Sequence, residues 1–126
     1  MSAPRSEFWE AVERIRAEDG RYARDAYAFV MDSLDFTMRK IGERRHVSAA
    51  ELVRGLCAHA IERFGLMAYT VLSTWGLKAS DDVGEVVFQL IGAGVLSRQE
   101  GDERSDFDNV VDFRDALDAA SLESDA

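Results

Sequence analysis

The sequence predicts a mainly α domain: five helices in a winged helix-turn-helix-like arrangement, closed by a C-terminal two-stranded β-wing. Three observations predict it. Apolar residues recur at helical spacing through most of residues 6–93, and Gly20, Gly42, Gly65, Gly76 and Gly94 stand where the runs stop. Within 80–98, S-D-D-V-G-E-V-V-F-Q-L-I-G-A-G-V-L-S-R, an amphipathic helix halts at Gly94 and passes into Val95 and Leu96, as a third helix hands over to a wing. Further on, Phe107, Val111 and Phe113 share the parity of one strand face.

Ser6 precedes F-W-E-A-V-E-R-I-R, and Phe8, Val12 and Ile15 define a first helix over 6–19. A second, over 24–41, carries the stripe Tyr27, Val30, Met31, Leu34, Met38 and Ile41. V-S-A-A-E-L at 47–52 has the pattern of a capping box: Ser48 caps, Glu51 reaches back to the Ser48 amide, and Val47 and Leu52 form a hydrophobic staple. The third helix runs through Leu52, Val53, Leu56, Cys57, Ala60, Ile61 and Phe64, apolar enough to be central, and a shorter fourth occupies 66–75. Ser80 is expected to cap the fifth, with Asp81 and Asp82 at the positive end of its dipole and Val83, Val86, Val87, Leu90 and Ile91 facing the core. V-L-S-R at 95–98 and D-F-D-N-V-V-D-F at 106–113 are expected to be strands around the turn Q-E-G-D-E-R-S, followed by a short helix with Ala116, Leu117 and Ala120. The whole reads as a single domain, 1–126: a helical pair at 6–42, a winged-helix-like core at 47–113 and a partly disordered tail at 114–126. Trp9, Phe29, Tyr69, Trp75 and Phe88 are assigned to the core, with Trp75 also placed to anchor a partner.

Composition narrows the function classes. A chain of 126 residues, 47 % hydrophobic, with one proline, is expected to bury roughly 65 % of its unfolded surface without disulfide or metal. Cys57 has no partner for an internal disulfide, and the start lacks the apolar run of a secretory signal, so a cytoplasmic protein is expected. No apolar stretch reaches the ~18 residues that cross a bilayer, which argues against a membrane protein. The net charge of −9 is concentrated: residues 1–78 hold 12 basic and 11 acidic side chains, whereas 79–126 hold 3 and 13. Such a field repels polyanions and favours encounter with basic protein surfaces.

Two candidate surfaces follow. On the fifth helix, Asp81, Asp82, Glu85 and Gln89 form an acidic face without Lys or Arg. DNA affinity depends on phosphate neutralisation by basic side chains, so this face argues against a duplex reader. The wing, with Glu100, Asp102 and Glu103 against Arg98 and Arg104, argues the same way. The second surface is R-K-I-G-E-R-R-H-V-S at 39–48, where Arg39, Lys40, Arg44, Arg45 and His46 arrive at a helix N-terminus and can hold a phosphate or carboxylate. Against that, Ser48 and Glu51 already use the amides an anion needs, and the cations can pair with the acidic C-terminal third.

Metal and catalytic signals are weaker. His46 and His59 lie thirteen residues apart with one cysteine available, so no zinc ligand set has its usual spacing; His59 is expected to be a partly exposed helix residue. D-E-R-S-D-F-D-N at 102–109 lacks the glycine and glutamate of a calcium loop and is read as a solvated turn. Cys57 shares the apolar face of Val53, Ala60, Ile61 and Phe64 and reads as a core residue rather than a nucleophile.

Y-A-F-V at 27–30, R-R-H-V-S at 44–48, E-L at 51–52, F-G-L-M-A at 64–68, V-L-S-T-W-G-L at 71–77 and D-D-V-G-E-V-V-F-Q-L at 81–90 carry a resemblance. Through them the chain, over residues 8–113, resembles a family of small uncharacterised bacterial proteins, the Minf family. The resemblance implies a bacterial origin and carries over no activity or catalytic residue.

The resulting expectation is a non-catalytic protein-interaction module without cofactor or metal, whose acidic face of Asp81, Asp82, Glu85 and Gln89 meets a basic partner protein. A head-to-tail contact between copies of the chain is open on the same grounds. The alternative is a nucleic-acid-binding regulator that docks through the basic 39–46 loop. An enzyme comes third.

Overall fold

The computed structural model describes residues 3–43, 45–98 and 102–118. Its elements are α1 (Ala3–Glu18), α2 (Arg24–Ile41), α3 (Ala49–Phe64), a 3-10 turn (Gly65–Met67), α4 (Ala68–Thr74), α5 (Ser80–Gly92), a second 3-10 turn (Arg104–Phe107) and the single-turn α6 (Phe113–Ala116). The helical expectation holds for all five main segments.

The centre is the antiparallel pair α2 and α3. Thr37 meets Gly55, Ser33 meets His59, and Phe29 stacks on His59 and lies tilted against Phe64, so residue numbers fall along one helix as they rise along the other. A Cβ at Gly55 would lie 1.9 Å from Thr37 Oγ1, so only glycine permits this approach. The capping box forms as expected: the Glu51 amide donates to Ser48 Oγ (3.1 Å) and the Ser48 amide to Glu51 Oε1 (3.0 Å). α2 ends at Gly42, left-handed at φ 86°, whose N–H reaches Met38 O. α5 lies across this pair, burying Val83, Val86, Val87 and Leu90.

The C-terminal third corrects the sequence reading. Among the described residues there is no β-strand, so the two-stranded wing, and with it the winged arrangement, is not formed. Residues 95 and 96 fold back on α5, both amides donating to Leu90 O (2.9 and 3.3 Å) after a left-handed Gly94. The segment expected as the second strand opens in a 3-10 turn, in which Asp106 Oδ2 accepts from the Glu103 amide (3.0 Å). It closes with Asp112 capping α6 through the Arg114 and Asp115 amides. Asp side chains that bond nearby amides compete with a strand ladder, and here they win. The parity of Phe107 and Phe113 does report burial, since both are core residues, while Val111 is half-buried. The expected turn residues 99–101 and the tail from 119 lie outside the described residues, as does Ala120.

Ser80 is also reassigned. The N-cap position belongs to Ala79, and Asp82 Oδ2 accepts from the Lys78 and Ala79 amides (3.0 and 3.1 Å). Ser80 is buried: its hydroxyl donates to Phe107 O (2.6 Å) and accepts from the Val110 amide (3.1 Å). It fastens the C-terminal segment to α5 instead of capping the helix.

Candidate functional site

The acidic face of α5 is largely engaged within the chain. Tyr22 OH donates to Asp82 Oδ1 (2.6 Å), Tyr27 OH to Gln89 Oε1 (2.7 Å), and Gln89 Nε2 to Asp19 Oδ2 (3.2 Å). Glu85 pairs with Arg21 (3.1 Å) and with Arg104. Asp81 is exposed, its Oδ1 accepting from the Asn109 amide at 3.3 Å. Burial, helped by Asp82, pushes the Tyr22 hydroxyl well above its ordinary range; burial and then Asp19 push Tyr27 up to about 12. Both phenols are therefore fixed as donors. Periodicity shows that Asp82, Glu85 and Gln89 share a face, but only the fold shows the α1–α2 loop, with Asp19, Arg21 and Tyr22, lying against it.

The basic cluster is dispersed in the same manner. Arg39 pairs with Asp35 (3.3 Å), and Lys40 Nζ sits 5.3 Å from the Phe36 ring centre. Arg45 makes a two-pronged contact with Glu51 (3.1 and 2.8 Å) and also reaches Glu43 (3.2 Å) and His46 O (2.8 Å). The Arg45 hydrogen bonds, with that from the Ser48 amide, hold the Glu51 carboxyl down at about 2. His46 Nε2 faces Asp102 Oδ1 at 3.2 Å, the pairing with the acidic C-terminal third that the charge distribution suggests. Arg44 and Glu100 lie outside the described residues.

His59 departs from expectation: it is buried, 8 % exposed, between Phe29 and Phe36, with both ring centres 4.6 Å away. Its Nδ1 is hydrogen-bonded to Ser33 Oγ (2.9 Å). Burial first, then Arg63, lowers its pKa and favours the neutral ring. Cys57 is buried as read, and burial pushes its thiol up to about 12, far from a reactive thiolate. Among the described residues no three His, Cys, Asp or Glu side chains form a metal-ligating group.

What sequence reasoning missed is an apolar pocket of about 240 Å³ where α2, the start of α3 and the end of α5 fail to close on one another. Met31, Leu34 and Met38, spaced three and four apart on α2, form one wall; Phe88 and Ile91 of α5 form another. All five are half-exposed, and Val47, Leu52, Val87 and Phe107 supply a buried floor. The rim carries Asp102, Glu103 and Asp106 against Arg45 and His46. Arg45 is already held by Glu43 and Glu51, Asp102 faces His46, and the nearby Arg98 spends its guanidinium on Asp102 O (2.8 and 3.0 Å), so the exposed charges at the mouth are the carboxylates of Glu103 and Asp106. Ser97 lines the same mouth. The volume falls below the ~300–1,000 Å³ of pockets that take drug-sized ligands. It suits one or two aliphatic side chains.

The signal for it was present in the α2 stripe. Met31 and Met38 stand at the edge of the Tyr27–Ile41 stripe farthest from Ser33 and Thr37, the positions that meet α3.

Comparison of the chain with family models, with curated proteins and with solved structures returns no match. No helix among the described residues is long and apolar enough to cross a membrane.

Proposed function

We propose that this chain is a non-catalytic protein-interaction module, whose partner seats an apolar side chain in the pocket between α2, α3 and α5 and lays basic residues over Glu103 and Asp106. The observation that carries this reading is a partly buried apolar concavity with the exposed carboxylates Glu103 and Asp106 on its rim. An aliphatic anchor gains ~1.5–3 kcal/mol on full burial, and the rim selects its flanking charge. Three of the four residues of the α5 face, Asp82, Glu85 and Gln89, are bonded to side chains of their own chain, and on the rim Asp102 faces His46, so the acidic docking surface is assigned to the exposed Glu103 and Asp106. The nucleic-acid alternative gains no support, because Arg39 and Arg45 are paired with carboxylates.

The test is a titration of the ¹⁵N-labelled chain with two short peptides, each bearing one Leu, flanked by Lys in one and by Glu in the other. The Lys-flanked peptide is expected to shift amides of Met31, Leu34, Phe88 and Ile91, and filling the cavity with Met31→Trp to abolish the effect. Equal binding of both peptides would remove the role of the rim; no shift at those amides would remove the pocket.

A further inference from the structure

The pocket has a counterpart on the same molecule. Leu66 and Met67, in the 3-10 turn between α3 and α4, are 75 % and 56 % exposed, the large hydrophobics most open to solvent among the described residues. They protrude at the C-terminal end of α3, whereas Val47, Ala49 and Leu52 place the pocket at its N-terminal end. A helix of 16 residues separates the two by about 24 Å at 1.5 Å per residue. The protrusion therefore cannot reach its own pocket.

We propose that Leu66 and Met67 of one copy enter the pocket of a second, a head-to-tail contact repeated along the direction of α3. The inference rests on the docking role given above to the pocket, and names its occupant. Size agrees, since the cavity admits one or two aliphatic side chains. Charge agrees through Arg114, which lies over Tyr69, two residues beyond Met67, with its guanidinium carbon 4.8 Å from the ring centre; Arg63, three residues before Leu66, is paired with Asp32 of its own chain (3.9 Å). In the proposed contact Arg114 meets Glu103 and Asp106, the exposed carboxylates on the rim of the receiving copy. The contact joins unlike surfaces, so each added copy presents a fresh protrusion and a fresh pocket, and growth does not stop at a dimer. Two anchors bury far less than the ~1,200 Å² of a stable interface, so association is weak and concentration-dependent.

Sedimentation velocity on the intact chain, up to millimolar concentration and at low salt, tests this directly. The expected result is a weight-average mass that rises with concentration, and Leu66→Glu combined with Met67→Glu weakens association at least about tenfold. Both sites are exposed, so folding is retained. Met31→Trp blocks the pocket, and Glu103→Lys, at an exposed position, weakens association without touching the core. The decisive mixture is Met31→Trp, which keeps its protrusion, with the Leu66→Glu/Met67→Glu chain, which keeps its pocket. Each alone is monomeric, and together they form a 1:1 dimer that grows no further. A wild-type chain that stays monomeric throughout, or one that associates while the mixed variants do not pair, overturns the proposal. Binding of the Lys-flanked peptide by a strictly monomeric chain would leave the docking pocket standing and remove only the second copy as its occupant.

Discussion

The α2–α3 pair and the segment from 95 to 118 are both built into the core, but by opposite means. α2 and α3 meet along continuous apolar faces, with Gly55 against Thr37 and His59 layered between Phe29 and Phe36. The later segment has little regular structure and is held at points: Phe107, Phe113 and Leu117 as buried side chains, Ser80 as a polar fastening, and aspartates as local caps. Continuous contact spreads stability over many residues, whereas point attachment concentrates it in a few. The pocket opens where the two regimes meet, with α2 on one side and Phe107 at its floor.

Removing an anchor is the largest test of that contrast. Phe107→Ala deletes a ring whose Cγ and Cδ2 lie 2.9 and 3.0 Å from where a Gly84 Cβ would stand and which packs edge-on to Phe88. It is expected to cost about 3–5 kcal/mol, measured by urea denaturation, and to speed amide exchange over 103–118 more than in α2. A loss shared equally by α2 would show that the segment is not separately anchored. Next comes the continuous interface: Gly55→Ala drives a Cβ into Thr37 and is expected to cost about 1–3 kcal/mol. Adding Thr37→Ala should recover part of that loss, and strict additivity would refute the steric account. Ser80→Ala follows at about 1–2 kcal/mol, because it strands Phe107 O and the Val110 amide in partly dry surroundings.

The smallest effect is on the α3 cap. Ser48→Ala is expected to cost about 1 kcal/mol. The Glu51 carboxyl, held at about 2 in the folded chain, has an ordinary value of about 4.3. Its contribution is thus complete above that ordinary value and lost as pH falls through the folded one. A urea midpoint that declines from about pH 4.5 towards 2, less steeply in Glu51→Gln, is the expected result; parallel profiles would mean the pairing adds nothing.

Some of this was readable from local chemistry. Ser48 and Glu51 needed only each other, and Gly42 only the run before it, so their roles in the structure match the pattern. The wing failed for the converse reason. Alternation at Phe107, Val111 and Phe113 states which side chains are buried, and a string of capped turns meets that requirement as well as a strand does. Ser80 was misassigned because its neighbour in the fold is twenty-seven residues away at Phe107. The acidic cluster looked free because its counter-charge is distant in sequence, Arg21 for Glu85, whereas the basic cluster is paired mostly at short range, Arg39 with Asp35 and Arg45 with Glu43 and Glu51.

What the amino-acid order determined by itself is the set of five main helices, the C-cap of α2, the N-cap of α3 and the uneven charge, since each depends on side chains within a turn or two of one another. What only the tertiary structure decided is which apolar faces are covered. Tyr27, Val30, Met31, Leu34 and Met38 form one stripe in the sequence, yet Tyr27 and Val30 are sealed while Met31, Leu34 and Met38 stay half-open. Periodicity tells which residues share a face; the presence or absence of a neighbouring helix tells whether water reaches it.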